Sequence, residues 1–279
     1  MINARLPIPN SLRRIWNCLG VGGWVLGVGV FVAACAPRAL SLPVDPGTPL
    51  PDFAQIHRQA TGACTSVRTL TAELGLSGRA GGRALRGRAI VGFERPASIR
   101  LEGVAPFGPP AFILAGQGAS ATLLLPRDDR VLRDAPAAEI LGALTGVALS
   151  PADLQAALTG CGVTMAQPVA GRRHQNGWAS VDLEGGATMY LEPVAPGWQP
   201  RAVRRPGWHI EYPAWQGAFP ETVRLRSLEP SADVDLTASV SQLETNVTID
   251  PAAFMVSVPA DTQPMTLAEL RDAGPLRAQ

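Results

Sequence analysis

Along residues 70–76 apolar and polar side chains take turns: Leu70, Ala72, Leu74 and Leu76 alternate with Thr71, Glu73 and Gly75. A two-residue period belongs to a strand with one face buried and one in water. Apolar-rich stretches at 84–93, 98–102, 111–114 and 121–125 follow, each bounded by Gly or Pro. Short strands at such regular spacing predict an antiparallel meander. Strand patterns resume at 178–183, 188–191, 208–212, 222–228, 234–240 and 254–258. In three places the period is helical instead. Phe53, Ile56 and Ala60 predict a helix over 52–65, opened by Pro51 and closing near Gly62. Ile140, Leu141 and Leu144, then Leu154, Ala157 and Leu158, predict two short helices over 137–144 and 151–158. Ser150, Pro151 and Asp153 start the second of them. A sheet of this size with few helices has to curl around an interior.

One segment fits neither pattern. Residues 15–34 are almost wholly apolar or Gly, follow Arg5, Arg13 and Arg14, and lead into Phe31-Val32-Ala33-Ala34-Cys35. A basic start, an apolar middle and small residues at the cut site make a secretory signal. Small residues before a Cys are what bacterial lipoprotein signal peptidase cuts, which makes Cys35 the lipidated mature N-terminus. An uncut transmembrane anchor is the alternative, since about twenty apolar residues span a bilayer. Gly20, Gly22, Gly23, Gly27 and Gly29 make a poor permanent helix, however. Acyl chains on Cys35 anchor the protein stably, and Ala36 rather than Asp after the Cys favours the outer membrane of a double-membraned bacterium, facing the periplasm. Pro37, Pro43, Pro46, Pro49 and Pro51 make the next stretch an extended tether. The expected organisation is a signal peptide over 1–34, a tether over 35–51 and one domain over 52–279.

Charge and chemistry narrow the function. Taking Arg5, Arg13 and Arg14 from the 24 basic residues leaves 21 against 23 acidic ones, a net of −2, which argues against a nucleic-acid partner. With Cys18 in the signal and Cys35 lipidated, Cys64 and Cys161 remain. An extracytoplasmic compartment lets them pair, and two free buried thiols are the other reading. His57, His174 and His209 have no metal-ligand spacing, and Gly75-Leu76-Ser77-Gly78 lacks that of a nucleophile elbow. Asp128-Asp129 between Arg127 and Arg130 reads as a solvated turn, and Arg172-Arg173-His174 as a loop. Asp233 and Asp235 share a strand face without a third ligand nearby. No catalytic residue, metal site or cofactor is expected.

Several of these stretches resemble a known family. Ala138-Glu139-Ile140-Leu141-Gly142-Ala143-Leu144-Thr145-Gly146, followed by 154–160, is similar in order and spacing to the helical segment of the LolB family, outer-membrane acceptors of lipoproteins. Trp208-His209-Ile210-Glu211-Tyr212 looks like the Trp-x-Val-x-Tyr strand of that family, and Phe219-Pro220 and Arg224-Leu225 follow it. The resemblance runs from residue 52 to roughly 241. The tail Asn246-Val247-Thr248-Ile249-Asp250-Pro251-Ala252-Ala253-Phe254 looks more like the ending of the LolA carriers and of lipoproteins of that superfamily.

The resemblance implies a mostly β fold with helices: an open, curved antiparallel β-barrel capped by short helices around an apolar cavity for acyl chains. Candidate lining residues are Ile90, Phe93, Leu101, Phe112 and Leu114 from the sheet, with Ile140, Leu141, Leu144 and Leu158 from the helices; an ordinary core residue is the alternative at each position. At about 0.8 kcal/mol per buried methylene, one acyl chain gains on the order of ten kcal/mol on leaving water. Transfer between two proteins then needs only a modest difference in cavity affinity. Pro106-Phe107-Gly108 resembles the Pro-Leu-Gly turn whose exposed apolar residue inserts lipoproteins into the membrane, with Phe in place of Leu. Gly103, Pro109 and Pro110 keep this stretch from being a regular strand. An exposed aromatic suits the bilayer interface, and folding back onto the core is the alternative. The implied role is to accept acylated lipoproteins from a LolA-like carrier and insert them into the outer membrane, with no reaction catalysed. An envelope structural or signal-sensing lipoprotein, using the same fold as a docking surface, is the second reading.

Overall fold

A computed structural model describes residues 40–229 and 232–273. The expected signal peptide, Cys35 and the start of the expected tether lie outside these residues. β1 (Thr48–Pro49) and α1 (Phe53–Ser66) precede a first meander of β2 (Thr69–Ala80), β3 (Arg83–Glu94), β4 (Ser98–Val104), β5 (Phe112–Gln117), β6 (Ser120–Leu125) and β7 (Arg130–Pro136). Then come α2 (Ala137–Thr145) and α3 (Pro151–Thr159). The second meander is β8 (Pro168–Arg173), β9 (Ala179–Leu183), β10 (Ala187–Val194), β11 (Gly197–Arg205), β12 (Trp208–Gln216), β13 (Phe219–Ser227) and β14 (Asp235–Thr245). A 3-10 turn (Pro251–Phe254), β15 (Gln263–Pro264) and α4 (Leu267–Ala273) end the described chain.

The two meanders lie side by side in one sheet, because β14 pairs antiparallel with β2. Its order is β1, then β8 to β14, then β2 to β7, then β15. β1 and β15 are its two ends and do not pair with each other, so the sheet is an open, curved antiparallel barrel. Each end strand is two residues long and contains a proline. α1 packs on β8 and β11, α2 on β6 and β7, and α3 on β13, while α4 meets α2.

Alternation decides which side chains face the helices. On β3, Ala89, Val91 and Phe93 are buried in the main apolar cluster. Ile90, expected in the lining, therefore points the other way and is 52% exposed. Its neighbours on that outer face are Glu73 and Glu102 across the register. Three other expectations need correction. Residues 254–258 are not a strand: the Pro251 turn seats Phe254 on the outside of β4 and β5, where Arg100 donates to the Ala253 carbonyl at 2.7 Å. Arg172 and Arg173 lie on β8 rather than in a loop. The stretch read as a tether is extended, but its end is not free: Thr48 and Pro49 pair with Arg173 and Arg172, and the Leu50 amide donates to the Gly171 carbonyl at 3.0 Å.

Candidate functional site

Under the helices the concave side of the sheet is aliphatic and aromatic. Phe93, Leu101, Phe112, Leu114, Ile140, Leu141, Leu144 and Leu158 belong to one continuous apolar cluster. Phe112 lies flat across Gly103, its partner on β4, so closely that a Cβ there would collide with the ring. Farther round, Tyr212 is fully buried and packs against Trp215 with ring centroids 5.6 Å apart. Burial pushes the Tyr212 hydroxyl far above its ordinary pKa, with the Gly162 backbone opposing weakly, so it stays neutral. Trp215 in turn fills the space above Gly160, whose left-handed backbone (φ 91°) ends α3. A Cys64–Cys161 disulfide ties α1 to the residues after α3, with Cα atoms 5.7 Å apart.

One end of this interior carries exposed apolar residues. Antiparallel register puts the β2–β3 turn, the loop between β4 and β5, the β6–β7 turn and the β13–β14 connection at the same end of the sheet. Phe107 stands on the second of these, 88% exposed, with Gly108 beside it in the left-handed region (φ 77°). Met165 and Leu228 stand at the same end, 79% and 45% exposed. Sequence reasoning gave neither a role: Met165 belongs to no period, and Leu228 was read only as the end of the strand over 222–228.

Polar constellations lie on the outer face. Glu211, buried, accepts hydrogen bonds from Arg226, and Arg224 donates to both Asp235 oxygens at 2.8 and 2.6 Å. That pairing holds the Asp235 carboxyl below the ordinary carboxylate range. His209, beside Glu211, is held below its usual value, by burial first and then by Arg226, Arg204 and Arg224, against the pull of Glu211. Asp45, His174 and Ser180 form a second group. His174 Nδ1 lies 3.3 Å from Asp45 Oδ1, and its Nε2 lies 2.9 Å from Ser180 Oγ. The order is that of a hydrolytic triad. Ser180, however, is buried in mid-strand, and the segment that supplies Asp45 also covers the His174 ring from Gly47. Lifting the cover removes the acid, so the geometry serves to latch residues 45–50 onto β8.

No protein-family model matches the sequence, and no curated protein matches it either. Solved structures do. A LolA superfamily protein from Nitrosomonas europaea aligns over 73% of this chain and 97% of its own, with a TM-score of 0.51 at 10% identity. An outer membrane lipoprotein-sorting protein domain from Vibrio parahaemolyticus aligns over 73% and 94%, with a TM-score of 0.44 at 11% identity. A DUF1329 family protein from Desulfovibrio piger aligns over 74% and 97%, with a TM-score of 0.41 at 12% identity. The first of these shows a LolA-like fold.

Proposed function

We propose that this chain is a lipid-anchored envelope protein that takes acylated lipoproteins from a LolA-like carrier into its apolar interior and delivers them to the outer membrane, without catalysing a reaction. The observation that carries the reading is the meeting of two features in one LolA-like domain. A predominantly apolar, helix-covered interior lies against the same sheet that carries an exposed Phe107 at one end. An acyl chain leaving a carrier needs the first, and a step into the bilayer interface needs the second. Lipidation at Cys35 would hold the domain near the membrane that receives the cargo.

A soluble form starting after Cys35, mixed with a LolA-like carrier loaded with a lipoprotein, tests it. Cargo should pass to the parent protein and on into liposomes, while Phe107→Glu accepts cargo and retains it. No transfer and no bound lipid would sink the proposal. One observation favours the second reading, a docking or sensing lipoprotein. Phe93, Leu114, Ile140 and Leu144 are as closely covered as any core residue, which is how a permanently filled interior looks. Mass spectrometry of the purified protein separates the two, since a carrier retains acyl lipid and a scaffold does not.

A further inference from the structure

Gly81 (φ 56°) and Gly82 (φ 74°) are both left-handed, which makes the β2–β3 connection a two-residue hairpin turn with Ala80 paired to Arg83. The first residue of β3 with a partner on β4 is Arg88, opposite Val104. Residues 83–87 therefore run on past the end of β4 by about 17 Å, at roughly 3.4 Å per residue. The chain leaves β4 at that same end to form the Phe107 loop, so hairpin and loop are neighbours. The hairpin is braced from the other side, where Ala80 packs with Val147, Leu149 and Val234.

Its charge has one sign. Arg79, Arg83, Arg86 and Arg88 are all exposed, and residues 79–88 contain no acid. Arg79 is paired with Asp233 at 3.0 Å and Arg88 with Glu73. Arg83 and Arg86 make no ion pair and no side-chain hydrogen bond among the described residues. The other flank of the Phe107 loop is the β6–β7 turn, where Asp128 and Asp129 stand between Arg127 and Arg130 and the charges cancel, so the excess of positive charge lies on the hairpin side, where Arg79 and Arg88 are paired and Arg83 and Arg86 are not. We propose that the β2–β3 hairpin is a recognition surface for anionic phospholipid headgroups, with Arg83 and Arg86 binding the phosphates while Phe107 enters the interface. The inference rests on the reading of Phe107 as the membrane-facing residue. A planar guanidinium matches a phosphate in two-point geometry. Each basic residue near an anionic surface strengthens the contact about fivefold, so the pair contributes roughly twenty- to thirtyfold.

The test is amide hydrogen exchange of the full-length protein on phosphatidylethanolamine vesicles with and without phosphatidylglycerol. Protection of residues 80–88 should appear only with phosphatidylglycerol, weaken in high salt, and vanish in the Arg83→Glu/Arg86→Glu double variant. Protection of 105–111 that persists while 80–88 ignores lipid charge overturns the headgroup site and leaves the Phe107 reading standing. Protection of 80–88 on anionic vesicles with 105–111 unprotected upholds the headgroup site and removes insertion by Phe107. Protection of 80–88 by a LolA-like carrier in lipid-free solution, and none on vesicles, overturns the lipid in favour of a protein partner. No protection anywhere overturns both readings.

Discussion

The Arg127 guanidinium donates a 2.7 Å hydrogen bond to the carbonyl of Phe107, reaching from the β6–β7 turn to the loop between β4 and β5. The loop is thus held by its backbone while its aromatic side chain stands in solvent. Arg127→Ala should leave global stability within about 0.5 kcal/mol, as surface changes do. Amide exchange over 105–111 should speed up, and cargo release into liposomes should slow. Unchanged exchange in that segment would show that the bond does not order the loop.

The Cys64–Cys161 disulfide closes a loop of 97 residues. Loops of that size bring the upper part of the usual range, so the Cys64→Ser/Cys161→Ser pair should lose about 2–5 kcal/mol. Urea denaturation of parent and variant checks this. The parent measured with reductant should fall to the variant's midpoint.

Leu114 on β5 and Leu144 on α2 belong to the same apolar cluster, both essentially without exposure. Leu→Ala at either should cost about 2–5 kcal/mol if the surroundings cannot collapse. Adding an acyl ligand should recover part of that loss, since binding to the folded state alone raises its stability. A thermal shift unaffected by ligand in both variants would count against an acyl-binding interior.

His209 takes up a proton less readily in the folded protein than in the unfolded chain, because burial and three arginines oppose the charge. Its contribution to stability is therefore complete above about 6.5 and lost as the pH falls from there through its lowered folded value. His57 has the same sign, through burial and Arg58. His209→Gln should make the urea midpoint fall less steeply with acidification below that point, His57 accounting for what slope remains. An identical slope in parent and variant would remove His209 from the account.

Asp45 should matter for the segment that leads into the domain. Asp45→Ala leaves His174 with Ser180 as its one side-chain partner among the described residues and loosens residues 45–50 from β8. Limited proteolysis should then cut before Leu50 while leaving the sheet intact. Equal resistance in parent and variant would mean that the strand pairing alone holds the segment.

The helices were legible because local chemistry and burial agree: Ser150 caps Asp153 at 3.1 Å in front of Pro151, and α2 ends on a left-handed Gly146. The central strands were legible from alternation, which is why β2 and β12 were read near their true positions. β7, β8 and β11 were missed for a physical reason. Pro168, Gly171 and the two arginines of β8 alternate in nothing, and that strand is held by its neighbours rather than by its own pattern. Ile90, named among the candidate lining residues, sits in the unbroken apolar run Ala89-Ile90-Val91, which hides the alternation. The parity of Arg86, Arg88 and Glu94 carried the correct answer, since charged residues two apart mark the wet face. Phe107 was readable from its prolines and glycines, whereas Met165, Leu228 and the docked tether depend on contacts between residues far apart in the chain.

A sheet that never closes on itself has two rims where another chain, a second copy of this one included, could add a strand. At one rim Pro49, and at the other Pro264, presents a backbone with no N–H to offer. Beyond them Pro168 on β8, and Asp134 with its left-handed backbone (φ 56°) on β7, break the flat geometry that a visiting strand requires. The barrel can therefore stay open without its own borders seeding fibres.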